Sequence, residues 1–225
     1  EGGPAADADI HVGDVLLSIS GATIASCQDA VDVLGSHKPG DTVVFDLMRQ
    51  GADGSQAVVP VKVTLSTRSE VLARRVGQHV TVSELVDIDD HAWSIDERGG
   101  RPLVIGAFSA RCGDCSALVD RVGAELERRG LAADVLAVTA DPIGEPLTRE
   151  HVAWLHHMTP LAIAEPQTFS SFATTDEDRA FFTVIDCAGV VRLVVPIAPG
   201  ADDEAASIDE ILDGAEQADH RRRRR

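Results

Sequence analysis

The chain has 225 residues, of which 44% are hydrophobic, 4% are aromatic and none is tyrosine, and its formal net charge is −17 at pH 7. This length suits one large domain or two small ones. The negative charge and the scarcity of aromatic side chains argue against a nucleic-acid partner. No stretch approaches the ~20 apolar residues of a membrane span, so no span is expected in this sequence.

The first third of the chain is predicted to be rich in strands separated by turns. Ser26 is a favourable N-cap with Asp29 three residues on, which predicts a short helix ending near Leu34. The predicted strands are Asp14–Ile19, Thr42–Met48 and Gln56–Leu65. From Ser66 to Val76 the pattern loosens and gathers three arginines, so we interpret residues 67–76 as an interdomain linker.

After residue 76 the pattern changes to alternating strands and helices, which predicts an α/β sheet covered on both sides. A helix is expected to end near Gly130, another to run from Thr148 to about His157, and a last one to bury Ile208 and Ile211. Residues 218–225 end in five arginines and are predicted to be a disordered tail, the alternative being a partner- or membrane-binding patch. The predicted strands are Leu103–Phe108, Asp134–Ala140, Phe181–Asp186 and Val190–Ile197.

The motif Cys112-Gly113-Asp114-Cys115 carries the clearest chemical signal, because it lies between a buried strand and a helix. Its spacing lets the two sulfurs close a disulfide, and the first turn of a helix favours a thiolate. The motif is also compatible with half of a zinc site or with a structural pair, but no second Cys/His cluster follows. A redox dithiol is favoured, with Cys112 expected at the helix N-terminus as the nucleophile and Cys115 one turn inside.

Residues 3 to about 66 resemble the later part of a bacterial PDZ domain. The motifs that carry this resemblance are Gly3–Ala6, Val12–Gly21, Lys38–Asp41 and Met48–Gly51. In that family the loop that holds a peptide's C-terminal carboxylate lies before the Pro-Ala-Ala segment, which only Glu1–Gly3 precede here. The resemblance therefore implies a truncated, β-rich PDZ-like domain over residues 1–66, with an incomplete peptide groove but with a protein partner as its expected ligand.

Residues 77 to about 217 resemble the thioredoxin superfamily, in particular extracytoplasmic thiol–disulfide reductases and the peroxiredoxin-like group. The matching segments are Val76–Gln78, Val82–Leu85, Gly99–Ile105, Phe108–Cys115 and Phe182–Val191. The resemblance implies an α/β thioredoxin-like fold and thiol–disulfide exchange on protein substrates through Cys112 and Cys115. It implies no metal and no cofactor, and a periplasmic or cell-envelope location, although the composition leaves the cytoplasm open.

Three departures from the thioredoxin pattern bear on function. Arg111 stands where the family usually has Trp, Asp114 replaces the common Pro between the cysteines, and Ala180 (or Phe181) occupies the position of the family's cis-proline. The last departure favours an alternative, a non-catalytic interaction scaffold. A peroxiredoxin-like peroxidase is a further alternative, in which Ser109 replaces the Thr of that family's motif and Ile105 its Pro.

Two other cysteines complete the set of four. Cys27, at the start of the predicted N-terminal helix, is expected to be a small buried filler. Cys187, in the predicted hairpin turn, is expected to be more exposed and is a minor candidate for mixed-disulfide chemistry.

Overall fold

The computed structural model describes residues 3–51, 54–80, 84–88, 92–94, 101–141, 159–169, 172 and 178–222. The chain divides into two compact units, an N-terminal unit Glu1–Arg74 and a C-terminal unit Arg75–Arg225. The helix predicted from Thr148 to His157 lies outside the described residues.

The N-terminal unit is built on a four-stranded antiparallel sheet of order β2-β1-β3-β4. Ile19, Val43 and Val63 form its buried centre. The three predicted strands and the helix are confirmed, with ends shifted by one or two residues. The elements are α1 Pro4–Asp7, β1 Val15–Ile19, β2 Ala22–Thr23, α2 Cys27–Gly35, β3 Thr42–Gln50, β4 Gln56–Thr64 and α3 Arg68–Ala73.

Helix α2 begins as its N-terminal sequence predicts. The Ser26 side chain accepts from the backbone N–H of Asp29, and the Asp29 carboxylate accepts from the backbone N–H of Ser26 at 2.8 Å. This reciprocal capping box satisfies two N–H groups that the first helical turn leaves without partners. The hydrogen bonds from Ala25 and Ser26 hold the pKa of Asp29 below its ordinary value.

The stretch interpreted as a linker contains helix α3. Thr67 and Glu70 form a second capping box, and the side chain of Leu72 is only 1% exposed. The sequence contains the capping signature Thr-x-x-Glu, but the three arginines of this segment favoured its interpretation as a linker. The boundary between the two units lies after this helix, between Arg74 and Arg75.

The C-terminal unit contains a five-stranded sheet of order β11-β10-β7-β8-β9, and a short hairpin, β5–β6. Strands β7, β8 and β9 are parallel, while β10 is antiparallel to both β7 and β11. The elements are β5 Glu84–Val86, β6 Ala92–Ser94, β7 Leu103–Ala107, α4 Cys115–Arg128, β8 Asp134–Thr139, β9 Leu161–Ile163, α5 Pro166–Phe169, β10 Ala180–Ile185, β11 Val191–Ile197 and α6 Glu204–Arg222.

Strand β7 lies at the centre of this sheet and is buried along its whole length, as expected for Leu103–Phe108. Helix α4 packs closely on it at Gly106, where an added Cβ would lie 2.6 Å from Cγ2 of Val119. Gly106 is therefore needed for the close approach of helix and strand. This packing fixes the position of the helix that carries Cys115.

The C-terminal end of the chain corrects the predicted disordered tail. Helix α6 continues to Arg222, and Ala218 is only 1% exposed in the core of the unit. Ile211, Leu212, Ala215 and Ala218 repeat at helical spacing, so the buried face extends past residue 217. Residues 223–225 lie outside the described residues.

Candidate active site

Cys112 and Cys115 are joined by a disulfide, with their Cα atoms 5.4 Å apart. Helix α4 begins at Cys115 and its N-cap is Asp114, so the prediction that Cys112 begins the helix and Cys115 lies one turn inside is wrong. The reason is a tight turn before the helix, in which the N–H of Cys112 donates to the carbonyl of Ser109 at 2.9 Å. Cys112 thus lies in this turn, ahead of the first free N–H groups of the helix.

The disulfide lies at the edge of the hydrophobic core. Cys112 is 3% exposed and Cys115 is 0% exposed, and both belong to the core cluster that contains Phe108, Leu118 and Ala180. Gly113 and Asp114, between the cysteines, are exposed. The two residues between the buried cysteines thus lie at the surface.

The carboxylate of Asp141, which was not among the predicted site residues, supports this turn. The N–H of Ala110 donates to Oδ2 of Asp141 at 2.6 Å, and the hydroxyl of Thr139 donates to the same oxygen at 3.0 Å. Asp141 follows β8, the parallel neighbour of the strand that leads into the cysteine turn. Its place at the carboxyl end of a buried strand was the signal in the sequence.

The resemblance assigns the position of the family's cis-proline to Ala180, or to Phe181. Ala180 is the first residue of β10, pairs with Ile197 of β11 and is completely buried. All peptide bonds in the described part of the chain are trans. An alanine in a regular strand thus stands where the resemblance places a proline loop.

The two free cysteines differ from each other in exposure. The prediction of a buried Cys27 is wrong: Cys27 is exposed, because it begins α2, none of whose residues is buried. Cys187 is half-buried in the hairpin turn between β10 and β11.

The hairpin turn is organised by Asp186. Its carboxylate accepts from the N–H groups of Ala188 and Val190, at 2.9 and 3.0 Å, and from Arg192. Burial acts to raise the pKa of Asp186, but the hydrogen bonds from Val190 and Arg192 outweigh it and hold the pKa below its ordinary value. Asp186 therefore has a structural role in the turn that contains Cys187.

Among the residues that the structure describes, no group of three or more His, Cys, Asp or Glu side chains has the arrangement of a metal site. No described helix has the length and hydrophobicity that a membrane span requires.

Sequence comparison identifies the N-terminal unit. Residues 1–63 match the family model of the PDZ domain. A probable periplasmic serine endoprotease DegP-like from Pseudomonas fulva is 32% identical over 114 residues, which cover 44% of this chain and 22% of that protein. A protein of the same description from Ectopseudomonas mendocina is 39% identical over 70 residues, covering 31% of this chain and 14% of that protein. The chain thus spans less than a quarter of the length of either relative.

Structural comparison identifies the fold of the remainder. BsSco, a member of the Sco family of cytochrome c oxidase assembly proteins, superposes with a TM-score of 0.52 at 12% identity, over 65% of this chain and 96% of that one. A putative thiol:disulfide interchange protein DsbE from Chlorobium tepidum gives a TM-score of 0.49 at 18% identity, over 62% of this chain and 97% of that one. The chain joins a β-rich PDZ domain to a domain of thioredoxin-like α/β fold, which confirms both expected folds.

Proposed function

We propose that the protein is a thiol–disulfide oxidoreductase that acts on protein disulfides through Cys112 and Cys115. The observation that carries this proposal is the disulfide between these residues at the start of α4, on a thioredoxin-like fold. The pair lies between the buried strand β7 and the start of helix α4. The chemistry needs no cofactor beyond an external donor of electrons.

The proposed reaction begins from the reduced protein. The thiolate of Cys112 attacks one sulfur of a substrate disulfide, the substrate S–S bond breaks, and the departing thiolate takes up a proton. The thiolate of Cys115 then attacks the Cys112 sulfur of the mixed disulfide and releases the second substrate thiol. The substrate gains two electrons and two protons, and the protein is left with the Cys112–Cys115 disulfide.

The exposures of the two cysteines support this division of roles. Only Cys112 has accessible surface, 3% against 0% for Cys115, so an incoming sulfur meets Cys112 first. Cys112 also lies ahead of the first turn of α4, where the helix dipole favours an anion. Cys115, enclosed in the core, is placed to attack only a sulfur already bound to Cys112.

We further propose an extracytoplasmic location and a protein partner for the PDZ domain. A disulfide persists in oxidising compartments and is rare in the cytosol. The two curated relatives of the PDZ part are described as periplasmic. In this proposal the PDZ domain binds a protein partner, which supplies the substrate disulfide or the reducing electrons.

A second candidate is a non-catalytic scaffold in which both domains serve only interaction. Ala180 favours it, because a buried strand residue replaces the proline on which thioredoxin-like proteins dock their substrates. In this case the Cys112–Cys115 disulfide would be a structural link and would not turn over.

Insulin reduction in the presence of dithiothreitol distinguishes the two candidates. The wild type is expected to accelerate precipitation of the insulin B chain, and Cys112→Ser to abolish the acceleration. Cys187→Ser, which removes a free cysteine outside the dithiol, is the control and should retain the full rate. A wild type no faster than dithiothreitol alone would reject the enzyme and favour the scaffold.

A further inference from the structure

Opening of the Cys112–Cys115 disulfide removes the covalent link that holds the cysteine turn against α4. In the reduced protein the turn is then held by hydrogen bonds. One is local, from the N–H of Cys112 to the carbonyl of Ser109 at 2.9 Å. Two more are local and weaker, from the N–H of Arg111 to Oγ of Ser109 and from the N–H of Cys115 to the carbonyl of Cys112, both at 3.3 Å. Another joins the turn to the segment that follows β8, from the N–H of Ala110 to Oδ2 of Asp141 at 2.6 Å.

The contact with Asp141 is well suited to fix the turn. Ala110 lies two residues before Cys112, at 4% exposure, so water competes little for its N–H. A charged acceptor makes a stronger hydrogen bond than a neutral one. The turn is therefore tied to the end of β8 at a point next to the reactive cysteine.

The Asp141 carboxylate is itself oriented by its neighbours. The hydroxyl of Thr139, which is 1% exposed, donates to Oδ2 of Asp141 at 3.0 Å. The N–H of Asp141 donates back to the hydroxyl oxygen of Thr139 at 3.2 Å. Strand β8 is parallel to β7 and pairs with it from Leu103 to Ala107. The carboxylate of Asp141 therefore follows a strand that is hydrogen-bonded to the strand leading into the cysteine turn.

We propose that Asp141 is a positioning residue for Cys112: by binding the N–H of Ala110, its carboxylate keeps the thiol of Cys112 within reach of Cys115 while the disulfide is open. The inference rests on the proposed thiol–disulfide exchange and adds to it the residue that sets how readily the disulfide closes. Asp141 touches neither sulfur in this account and acts through the turn.

Loss of the contact between Asp141 and Ala110 is measurable as a change in the equilibrium constant between the protein dithiol and glutathione disulfide. The protein dithiol reacts with glutathione disulfide to give the protein disulfide and two glutathione thiols, so its equilibrium constant measures the effective concentration of one cysteine at the other. Loosening the turn adds conformational freedom mainly to the reduced form, because the covalent bond restrains the oxidised form in either case. Loss of the Asp141 contact therefore shifts the equilibrium towards the dithiol.

The test compares Asp141→Ala, Asp141→Asn and Thr139→Val in the full chain. Asp141→Ala is expected to lower the equilibrium constant about three- to tenfold, about the net effect of one ordinary hydrogen bond, because part of the loss falls equally on both redox forms. Asp141→Asn should lower the constant less than Asp141→Ala does, since its amide oxygen accepts from the same donors but carries no charge. Thr139→Val, which removes only the orienting hydroxyl, should lower the constant about two- to threefold. Asp134→Ala removes the partner of Arg101 at the opposite end of the same strand and should leave the constant unchanged.

The outcomes separate this inference from the proposed function. Urea unfolding of each oxidised variant shows whether a change in the constant accompanies general destabilisation. Equal constants for Asp141→Ala and the wild type would overturn the inference while leaving the exchange reaction intact. An equilibrium constant that falls as far in Asp141→Asn as in Asp141→Ala would also overturn the inference. If Asp141→Ala does not fold, an unchanged constant in Thr139→Val decides against the inference. A wild type that does not exchange with glutathione at all rejects the proposed function itself.

Discussion

The ion pair between Asp14 and Arg49 shows how single residues stabilise the PDZ domain. Nε and Nη2 of Arg49 donate to the two carboxylate oxygens of Asp14 at 2.8 and 2.7 Å, and the N–H of His11 donates to Oδ2. The Asp14 side chain is only 3% exposed. The hydrogen bond from Arg49, followed by that from His11, holds the pKa of Asp14 far below its ordinary value.

This depressed pKa predicts a loss of stability in acid. The unfolded chain takes up a proton at Asp14 near the ordinary pKa of 3.8, whereas the folded chain does so only at much lower pH. The contribution of Asp14 is therefore complete above about pH 5 and is lost as the pH falls below it, towards the pKa of the folded state. Asp14→Asn should flatten this acid dependence.

The measurement is urea unfolding at several pH values, with a brief hydrogen-exchange pulse read by mass spectrometry on peptides from β1 and β3. Asp32→Asn is the matched control, because Asp32 is an exposed aspartate of α2 that accepts from Gln28. An acid dependence as steep in Asp14→Asn as in the wild type would contradict the role assigned to this pair.

At the scale of elements, the fit of α4 against β7 predicts opposite effects of two glycine substitutions. In Gly106→Ala the new Cβ would meet Cγ2 of Val119 at 2.6 Å and the ring of Phe182 at 3.2 Å. We expect this overpacking to lower the free energy of unfolding by about 1–3 kcal/mol. Gly123→Ala, within α4, meets nothing nearer than 3.8 Å and should raise the free energy of unfolding by about 0.5–1 kcal/mol.

Urea unfolding followed by circular dichroism and tryptophan fluorescence checks both substitutions. The double variant Gly106→Ala/Val119→Ala should recover part of the stability that Gly106→Ala loses, because it removes the methyl groups that clash. Equal stability of Gly106→Ala and Gly123→Ala would refute the account of the close contact.

The elements that the sequence predicted well are those with strong local signals. Strand β7 is an unbroken apolar run, and α2 carries both members of its capping box next to each other. Strand β9 was not predicted, because it has only three residues and is recognised by its pairing with β8. Helix α3 begins with a capping signature, but it lies in the segment interpreted as a linker.

The candidate site was predictable in its chemistry but not in its local geometry. The pair Cys112 and Cys115 followed from spacing and position in the sequence. The start of α4 at Cys115 could not be predicted in this way, because the turn before it is held by Asp141, which follows strand β8. Local sequence carries no information about a hydrogen bond between residues 31 positions apart. The extension of α6 past residue 217 could not be predicted from local sequence either, because it depends on the burial of Ala218.

At the scale of the molecule, the division into two units predicts that reduction of the disulfide has a local effect. The Cys112–Cys115 bond closes a ring of very few residues, with a sequence separation of 3. Such a short loop restrains the unfolded chain little, and chain entropy alone gives about 2 kcal/mol. Reduction should therefore lower the free energy of unfolding of the C-terminal unit by no more than about 2 kcal/mol.

Hydrogen exchange with and without a phosphine reductant tests this expectation. Faster exchange should be confined to peptides around residues 108–128, with no change in peptides from β3 and β4. Global unfolding of the C-terminal unit on reduction would mean that the disulfide is a structural requirement, as the scaffold candidate holds. Faster exchange in the N-terminal unit would contradict the division of the chain.

The central claim is that Cys112 exchanges disulfides with proteins and that Cys115 resolves the product. The most direct measurement is to incubate reduced Cys115→Ser and Cys112→Ser with disulfide-containing proteins and to map mixed disulfides by mass spectrometry. We expect Cys115→Ser to accumulate mixed disulfides at Cys112, because the resolving thiol is gone, and Cys112→Ser to accumulate none. Mixed disulfides at Cys27 or Cys187 alone, or equal trapping by the two variants, would contradict this account.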